Sequence, residues 1–285
     1  MTSSAVTAVG QLTDLGTLLV SGPDARTFLQ GQLSCDMTQL SAADLQLASC
    51  NSAQGRVQAL VWLVERSEGM VLLLPASMLD ATLQRLKKYT LRAKVQFAAG
   101  ALAVYQGSDH AGLAPRGHVE HAGISTIAWP GEPARTLLLA PADRFGELPA
   151  QNAAWHLADI RSGLPQVYPQ THEAFVAQML NVDLLGGISF EKGCYTGQEI
   201  IARAHFRGTV KRRMLAFRAA CAAPPPATRV LSIDGQHAGD VVEAAAVEAG
   251  CELLAVISLA QRDAQLQLES GAVLERVPLP YPITP

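Results

Sequence analysis

The sequence predicts an α+β protein with more than one structural unit. Its 285 residues exceed the usual size of a single hydrophobic core. Strand-like and helix-like segments are mixed up to Lys211, without the regular strand–helix alternation of a parallel α/β fold. After Lys211, short strand-like segments separated by turn residues indicate a small barrel. Hydrophobic residues make up 49% of the chain, which is enough to build these cores and excludes wholesale disorder.

The N-terminal part combines strands with two helices. Residues 17–20 form a predicted strand, and Pro23 with Asp24 marks the start of a helix. Residues 57–64 and 70–74 have strand-like hydrophobic runs separated by a polar turn. Ser77 is the expected N-cap of the second helix.

The rest of the chain contains one clear helix and many short strands. Asn152 begins that helix, and Gly163 with Pro165 ends it. Residues 106–123, rich in Gly, His and Ala, are expected to form a loop. The predicted strands lie at 101–105, 125–129 and 136–139, and in the barrel at 230–233, 238–242, 253–257, 265–268 and 273–277.

Charge and cysteine content exclude several classes of function. The chain has 22 Lys and Arg against 25 Asp and Glu, a formal net charge of -3, which is unlike that of a bulk nucleic-acid binder. Five cysteines without C-x-x-C spacing indicate reduced thiols in the cytoplasm and no metal site. Residues 1–4 lack signal-peptide features, and the apolar run 69–79 is too short to cross a bilayer. We therefore expect a soluble cytoplasmic protein that does not associate with membranes.

Residues 186–208 form the one dense motif of the chain. Residues 188–190 are a predicted strand, and Thr196 with Glu199 forms a predicted capping box at the start of a helix. Cys194 would then precede a helix N-terminus, where free N–H groups, aided by Lys192 and Arg203, favour the reactive thiolate. The alternative is that Cys194 is a small buried residue in a tight turn. The local pattern leaves both interpretations open, and no neighbouring base supports a hydrolase mechanism.

The letters Lys-Gly-Cys-Tyr-Thr-Gly-Gln-Glu at 192–199 match the signature K-G-C-Y-x-G-Q-E without a mismatch. This segment closely resembles the YgfZ family, the folate-binding relatives of the glycine-cleavage T-protein, an aminomethyltransferase. Further likeness lies at 21–25, 28–32, 163–165, Asn181, 186–190, 211–213 and 278–281. The resemblance thus covers nearly the whole chain.

The resemblance implies a three-domain T-protein-like ring around a central folate-binding hole. Residues 1–50 and 151–208 would form a discontinuous folate-binding α+β domain. Residues 51–150 would form an inserted α+β domain, and residues 209–285 a small C-terminal β-barrel. The ligand would be tetrahydrofolate or another folate derivative, including polyglutamylated forms.

The family resemblance also implies a role. YgfZ-family proteins support the assembly or maintenance of iron–sulfur enzymes, including enzymes of tRNA modification. The implied partners are folate and iron–sulfur enzymes or their assembly factors. The basic residues Arg203, Arg207 and 211–213 are expected to be solvated; a grip on the glutamate tail of folate or on tRNA is the alternative.

Site residues follow from the same resemblance. Cys194 corresponds to the motif cysteine, a reactive thiol. Trp155 falls where one of two tryptophans flanks the folate, although an ordinary core position for this residue is the alternative; the second tryptophan would align near Leu15 and is absent. The motif adds the expected folate-binding residues Lys192, Tyr195, Gln198, Glu199 and Arg203.

Two departures from the T-protein separate this chain from aminomethyl transfer. The run 55–60, where the T-protein has its catalytic aspartate, contains no carboxylate. An acidic residue that contacts the pterin in the T-protein is replaced here by Arg161. We therefore expect folate binding without T-protein chemistry. A folate-dependent one-carbon transferase of unknown substrate is the first alternative, and a tRNA-binding module is the second.

Overall fold

The computed structural model describes residues 7–108 and 112–283. Residues 1–4, on which the expected absence of a signal peptide rests, lie outside this part. The α+β prediction is confirmed, because the described residues form two antiparallel sheets, a closed barrel and four α-helices. The helices are α1 (Ala25–Gln32), α2 (Leu79–Lys88), α3 (Asn152–Arg161) and α4 (Gln198–Phe206). None of the helices in the described ranges is long and apolar enough to cross a membrane.

The strands are numbered along the chain. In the first two sheets they are β1 (Ala8–Gln11), β2 (Leu15–Ser21), β3 (Gln46–Asn51), β4 (Val57–Arg66), β5 (Gly69–Pro75), β6 (Gln96–Ala99), β7 (Ala103–Gly107), β8 (His118–His121), β9 (Ile124–Trp129) and β10 (Arg135–Ala140). The barrel contains β11 (Arg212–Ala219), β12 (Arg229–Ser232), β13 (His237–Val247), β14 (Gly250–Ser258), β15 (Leu266–Leu268) and β16 (Val273–Val277).

The first sheet has the order β3-β4-β5-β2-β6. Strands β4 and β5 are buried along almost their whole length, which explains their continuous hydrophobic sequence. The helix predicted after them is present, but the Ser77 cap is wrong. A short 3₁₀ turn at Ala76–Met78 precedes α2, and Met78 occupies the N-cap position without a side-chain hydrogen bond.

The second sheet has the order β1-β7-β10-β9-β8. The loop predicted over 106–123 is wrong at both ends, because β7 extends to Gly107 and β8 pairs with β9. Ala122 and Gly123 join the two strands, and both have positive φ angles, as a two-residue hairpin turn requires. Much of the surface of β8 is exposed, and its sequence is correspondingly polar. A pattern of hydrophobic residues therefore does not reveal this strand.

The predicted C-terminal barrel is confirmed. Its closed order is β11-β14-β13-β12-β15-β16, with β16 pairing back onto β11. The interior is filled by apolar side chains such as Leu215, Phe217 and Leu253. The sequence pattern did not predict β11. Arginines near both ends of this strand leave only four consecutive apolar residues, Met214 to Phe217, between them.

The barrel contacts the rest of the chain through α3 and the segment that follows this helix. Arg161 at the end of α3 makes a two-pronged ion pair with Glu252 of β14. The Gln166 backbone N–H donates to the Glu243 carboxylate of β13. The first sheet pairs β3 with β4 and β2 with β5, and so runs across residue 50. The three domain boundaries at 50, 150 and 208 stay a prediction.

Candidate functional site

A cavity of about 490 Å³ lies where the barrel meets α3 and the turn before α2. Its walls come from separate parts of the sequence. They are formed by Ser77, Ala153 and His156, by the segment 168–170, by Pro226, and by four successive residues of β13, Glu243 to Ala246. The volume is typical of a pocket for a small molecule or cofactor.

Glu243 places a carboxyl group in the wall of this cavity, and it is 3% exposed. Its carboxyl accepts hydrogen bonds from the Gln166 N–H at 3.1 Å and from the Tyr168 hydroxyl at 3.2 Å. Burial raises the pKa of Glu243 to about 8, and the nearby Asp159 adds to the effect. The carboxyl therefore holds its proton near neutral pH. Sequence reasoning missed this residue, although a glutamate between the buried Val242 and three alanines was a usable signal.

His156 presents a second polar group to the same cavity. It lies on α3 one turn after Ala153, and both residues line the wall. The His156 Nε2 atom is 3.3 Å from the Asp14 carboxylate, which joins α3 to the loop before β2. His156 therefore adds a polar group to a wall that also contains Ala153 and Ala244 to Ala246.

Trp155 lies on α3 between these cavity residues but is only 1% exposed. Its ring packs against Trp129, with ring centroids 5.6 Å apart, and the Arg135 guanidinium lies 4.4 Å from its centre. Arg135 is in turn paired with the buried Asp159 at 2.7 Å. In this conformation Trp155 has the environment of a core residue, the alternative that the sequence left open. Its stacking on folate stays a prediction.

The motif 192–199 packs against the C-terminal end of α1. The Lys192 ammonium donates to three backbone carbonyls, those of Gln30, Leu33 and Cys35, at 2.6, 2.8 and 2.7 Å. Burial lowers the pKa of Lys192 to about 8. Because an ammonium has three N–H donors, these carbonyls use all of them. Lys192 therefore has a structural role in this fold.

Tyr195 is the second motif residue that points into the protein. Its side chain is 7% exposed, and its ring centre lies 4.9 Å from the Lys192 nitrogen. Burial raises the pKa of Tyr195 to about 12, so the hydroxyl is neutral. The hydroxyl has no hydrogen-bond partner among the described residues.

Two local predictions for the motif are wrong. Residues 188–190 are not a strand; Ser189 makes a single backbone hydrogen bond to Ser34. Thr196 and Glu199 do not form a capping box, because α4 begins with Gly197 at the N-cap in the left-handed conformation, φ 83°. A Cβ atom at Gly197 would lie 2.5 Å from the Ser52 carbonyl oxygen, so close packing requires glycine there.

The other motif residues lie at the surface. Cys194 is exposed, so its alternative interpretation as a buried residue is wrong. Glu199 and Arg203 are exposed on α4, and Gln198 is half-buried, with its amide 3.4 Å from the Lys192 carbonyl oxygen. None of the motif residues lines the cavity of Glu243. Their roles in binding folate, and the reactivity of Cys194, stay predictions.

A groove of about 820 Å³ runs beside the motif. His205 of α4 stacks on Phe190 with ring centroids 3.7 Å apart, and the neighbouring Phe206 is 66% exposed. Asp36 and Glu191 lie along the same groove. Within residues 7–108 and 112–283, no group of three His, Cys, Asp or Glu side chains is arranged to hold a metal ion.

The architecture is that of a T-protein-like protein. The glycine cleavage system aminomethyltransferase T from Bartonella henselae has the same fold, with a TM-score of 0.75 over 95% of this chain and 85% of that chain, at 12% sequence identity. This confirms the predicted T-protein-like fold with its C-terminal barrel. No protein-family model matches the chain.

Sequence relatives narrow the class to one family. The tRNA-modifying protein YgfZ of Edwardsiella ictaluri is 32% identical, covering 95% of this chain and 91% of that protein. The tRNA-modifying protein YgfZ of Klebsiella pneumoniae is 31% identical, with coverage of 95% and 91%. An uncharacterized protein of Haemophilus influenzae is 31% identical, with coverage of 96% and 98%. The chain belongs to the YgfZ family, as its motif predicted.

Proposed function

We propose that this protein binds a folate and acts as an accessory factor in tRNA modification, by supporting the assembly or maintenance of iron–sulfur enzymes. The observation that carries the proposal is the cavity around Glu243 at the junction of the barrel with α3. Relatives named as tRNA-modifying proteins support the biological context. The proposed partners imply a cytoplasmic protein.

The cavity suits the pterin ring of a folate. The 2-amino-4-oxo edge of a pterin presents several N–H groups and one carbonyl. The Glu243 carboxyl and the Tyr168 hydroxyl offer acceptors and donors of matching kind at one wall. Ala244, Ala245 and Ala246 form a surface of small side chains against which a flat ring can pack.

Bound tetrahydrofolate would supply a carrier for one-carbon units. The residues of the chain at the T-protein's catalytic position do not supply the proton transfer that aminomethyl transfer needs. Gln58 in the run 55–60 is fixed between Arg85, at 2.7 Å, and Glu173, at 2.6 Å. An amide held in this way cannot act as a general base. This favours an accessory role over T-protein chemistry.

Cys194 is the proposed reactive group of the accessory role. It is exposed and lies in the loop before α4, three residues after Glu191, which lines the groove of about 820 Å³. A strain that lacks the native gene is supplied with the Cys194→Ser variant. This variant should fail to restore the activity of an iron–sulfur tRNA-modifying enzyme. Gly193→Ala is the matched control, because an added methyl at Gly193 meets no atom within 4 Å. Equal tRNA modification in both strains would refute the role of Cys194.

Calorimetric titration with triglutamyl tetrahydrofolate tests the cavity. We expect saturable binding to the native chain and a loss of about tenfold or more in Ala153→Phe, which fills the cavity. Ala154→Phe is the control, since Ala154 is also exposed on α3 but does not line the wall. Equal binding in both variants would mean that the folate binds elsewhere.

A one-carbon transferase is the second candidate function, and Glu243 favours it. A carboxyl with a pKa of about 8 beside a ligand cavity is suited to exchange a proton with a bound folate near neutral pH. Turnover of methylenetetrahydrofolate with a candidate donor, lost in Glu243→Gln, would establish this function. If the native chain binds the folate but turns over none of the donors tested, the transferase function is refuted and the accessory role is favoured.

A further inference from the structure

Two cysteines of the barrel lie in contact with each other. The Sγ atoms of Cys221 and Cys251 are 3.9 Å apart, and the two residues are separated by 30 positions along the chain. Cys251 is on β14, directly opposite Ala219 at the end of β11. Cys221 follows two residues later and turns back towards it. Both side chains pack against the apolar interior of the barrel.

The geometry of this pair suits a disulfide. Disulfide-bonded cysteines have Cα atoms about 4.4–6.8 Å apart and an S–S bond of about 2.05 Å. Cys221 lies two residues beyond Ala219, the residue that faces Cys251 in the ladder, so the evidence that the pair is within reach of this geometry is the 3.9 Å contact between its two sulfur atoms. The bond requires the two sulfur atoms to approach each other by about 2 Å, and Cys221 lies in the segment after β11, outside the β11–β14 ladder.

The pair is also reachable from outside. A pocket of about 580 Å³ opens at this end of the barrel and has Cys251 in its wall. Ala219 and Ala220, which lead to Cys221, line the same pocket. The pocket therefore leads to Cys251, and the neighbouring Cys221 is itself partly exposed, so a small oxidant can approach the pair. Neither cysteine lines the Glu243 cavity.

We propose that Cys221 and Cys251 are a thiol pair that a hydroperoxide converts into a reversible intramolecular disulfide. Cys221 is the first nucleophile, because it is half-buried and Cys251 is buried. Burial also raises the pKa of the Cys251 thiol to about 11, which keeps it protonated until it reacts as the second partner.

The reaction balances in two steps. The Cys221 thiolate attacks one peroxide oxygen; an S–O bond forms, the O–O bond breaks, and the departing alkoxide takes up a proton to leave as an alcohol. The sulfur of Cys251 then attacks the Cys221 sulfenic acid, forming the S–S bond and breaking the S–O bond. The hydroxide leaves as water with the Cys251 proton. Two thiols and one hydroperoxide thus give a disulfide, an alcohol and water.

Peptide mass spectrometry on the full chain tests the proposal. The reduced protein is treated with a small excess of hydrogen peroxide, alkylated and digested without reductant. We expect a linked peptide pair containing Cys221 and Cys251, lighter by two hydrogen atoms and separated again by dithiothreitol. The product should persist in Cys194→Ser and disappear in Cys221→Ser. Free alkylated Cys221 and Cys251 after treatment, or a disulfide that involves Cys194, would overturn the proposal.

Thermal unfolding gives a second readout that does not depend on peptide recovery. A disulfide between these residues closes a loop of 30 positions and restricts the unfolded chain. The oxidised native chain and oxidised Cys194→Ser should therefore melt at a higher temperature than their reduced forms. Cys221→Ser should show no such shift. An identical response of all three chains would contradict the proposal.

Discussion

The Lys192 ammonium lies 2.7 Å from the backbone carbonyl oxygen of Cys35, to which it donates a hydrogen bond. The carbonyls of Gln30 and Leu33 accept its other two hydrogens. These carbonyls belong to the end of α1 and the segment after it, where no further turn of the helix supplies N–H donors. A lysine in the motif thus satisfies the C-terminal end of a helix that is more than 150 residues away in sequence.

Lys192→Met should therefore destabilise the fold. The change leaves three buried or half-buried carbonyls without a donor and should lower the free energy of unfolding by about 3 kcal/mol. Urea unfolding followed by circular dichroism measures the loss. Lys87→Met on the exposed side of α2 is the control and should change stability by less than about 0.5 kcal/mol. Equal stability of the two variants would show that the three hydrogen bonds contribute little.

Gly197 and Gly193 provide a test inside the same motif. Gly197 has φ 83° and no room for a Cβ atom, whereas an added Cβ at Gly193 meets nothing within 4 Å. Gly197→Ala should cost about 2 kcal/mol or more, through backbone strain and displacement of the loop at Ser52. Gly193→Ala should be nearly neutral. Thermal melts of both variants measure this difference, and similar melting temperatures would contradict the predicted packing.

The sequence predicted the sheets and the barrel well, because buried strands such as β4 and β14 carry long apolar runs. It failed where a tertiary contact decides the local structure. Thr196 and Glu199 have capping-box spacing, but the approach of the Ser52 carbonyl to Gly197 fixes a different helix start. The sequence also failed to predict β8, because most residues of this strand are polar and its apolar content is low.

The candidate site was predicted less well than the fold. The dense motif drew attention to Cys194, which is indeed exposed, and to Lys192, which is committed to backbone carbonyls. The cavity escaped prediction because its walls come from distant segments, α3 and β13 among them. A single glutamate in a barrel strand becomes a candidate site residue only once its hydrogen bonds to Tyr168 and Gln166 and its place in the cavity wall are seen.

Trp155 allows the core and ligand roles to be separated. Its ring is enclosed by Trp129 and Arg135, so Trp155→Ala should lower the free energy of unfolding by about 3–5 kcal/mol. Trp155→Phe should be less destabilised and should still bind tetrahydrofolate. Ala153→Phe should show the opposite pattern, with stability kept and binding lost. Urea unfolding measures the stability of each variant, and calorimetric titration measures its binding of tetrahydrofolate. Loss of binding in a fully stable Trp155→Phe would show that the Trp155 ring contacts the ligand.

Glu243 predicts a pH dependence of stability. Burial raises its pKa from 4.5 to about 8 on folding, so between these pH values the native chain holds a proton that the unfolded chain releases. The free energy of unfolding should therefore fall as the pH rises from about 4.5 to 8, by an amount on the order of a few kcal/mol. Glu243→Gln carries a neutral side chain of the same shape and should lose this part of the slope.

Urea unfolding at pH 5, 6.5 and 8 measures the effect. Native chain and Glu243→Gln should have similar stability at about pH 5 and diverge towards pH 8, where the variant is the more stable of the two. Burial also raises the pKa of Asp159, which is present in both chains; its charge is one cause of the raised Glu243 pKa, so the difference between the chains includes this interaction. The exposed Glu248, changed to Gln, controls for the loss of one carboxylate. Parallel pH curves for the native chain and Glu243→Gln would show that the Glu243 carboxyl is ionised in the folded protein, held by the Tyr168 hydroxyl and the Gln166 N–H.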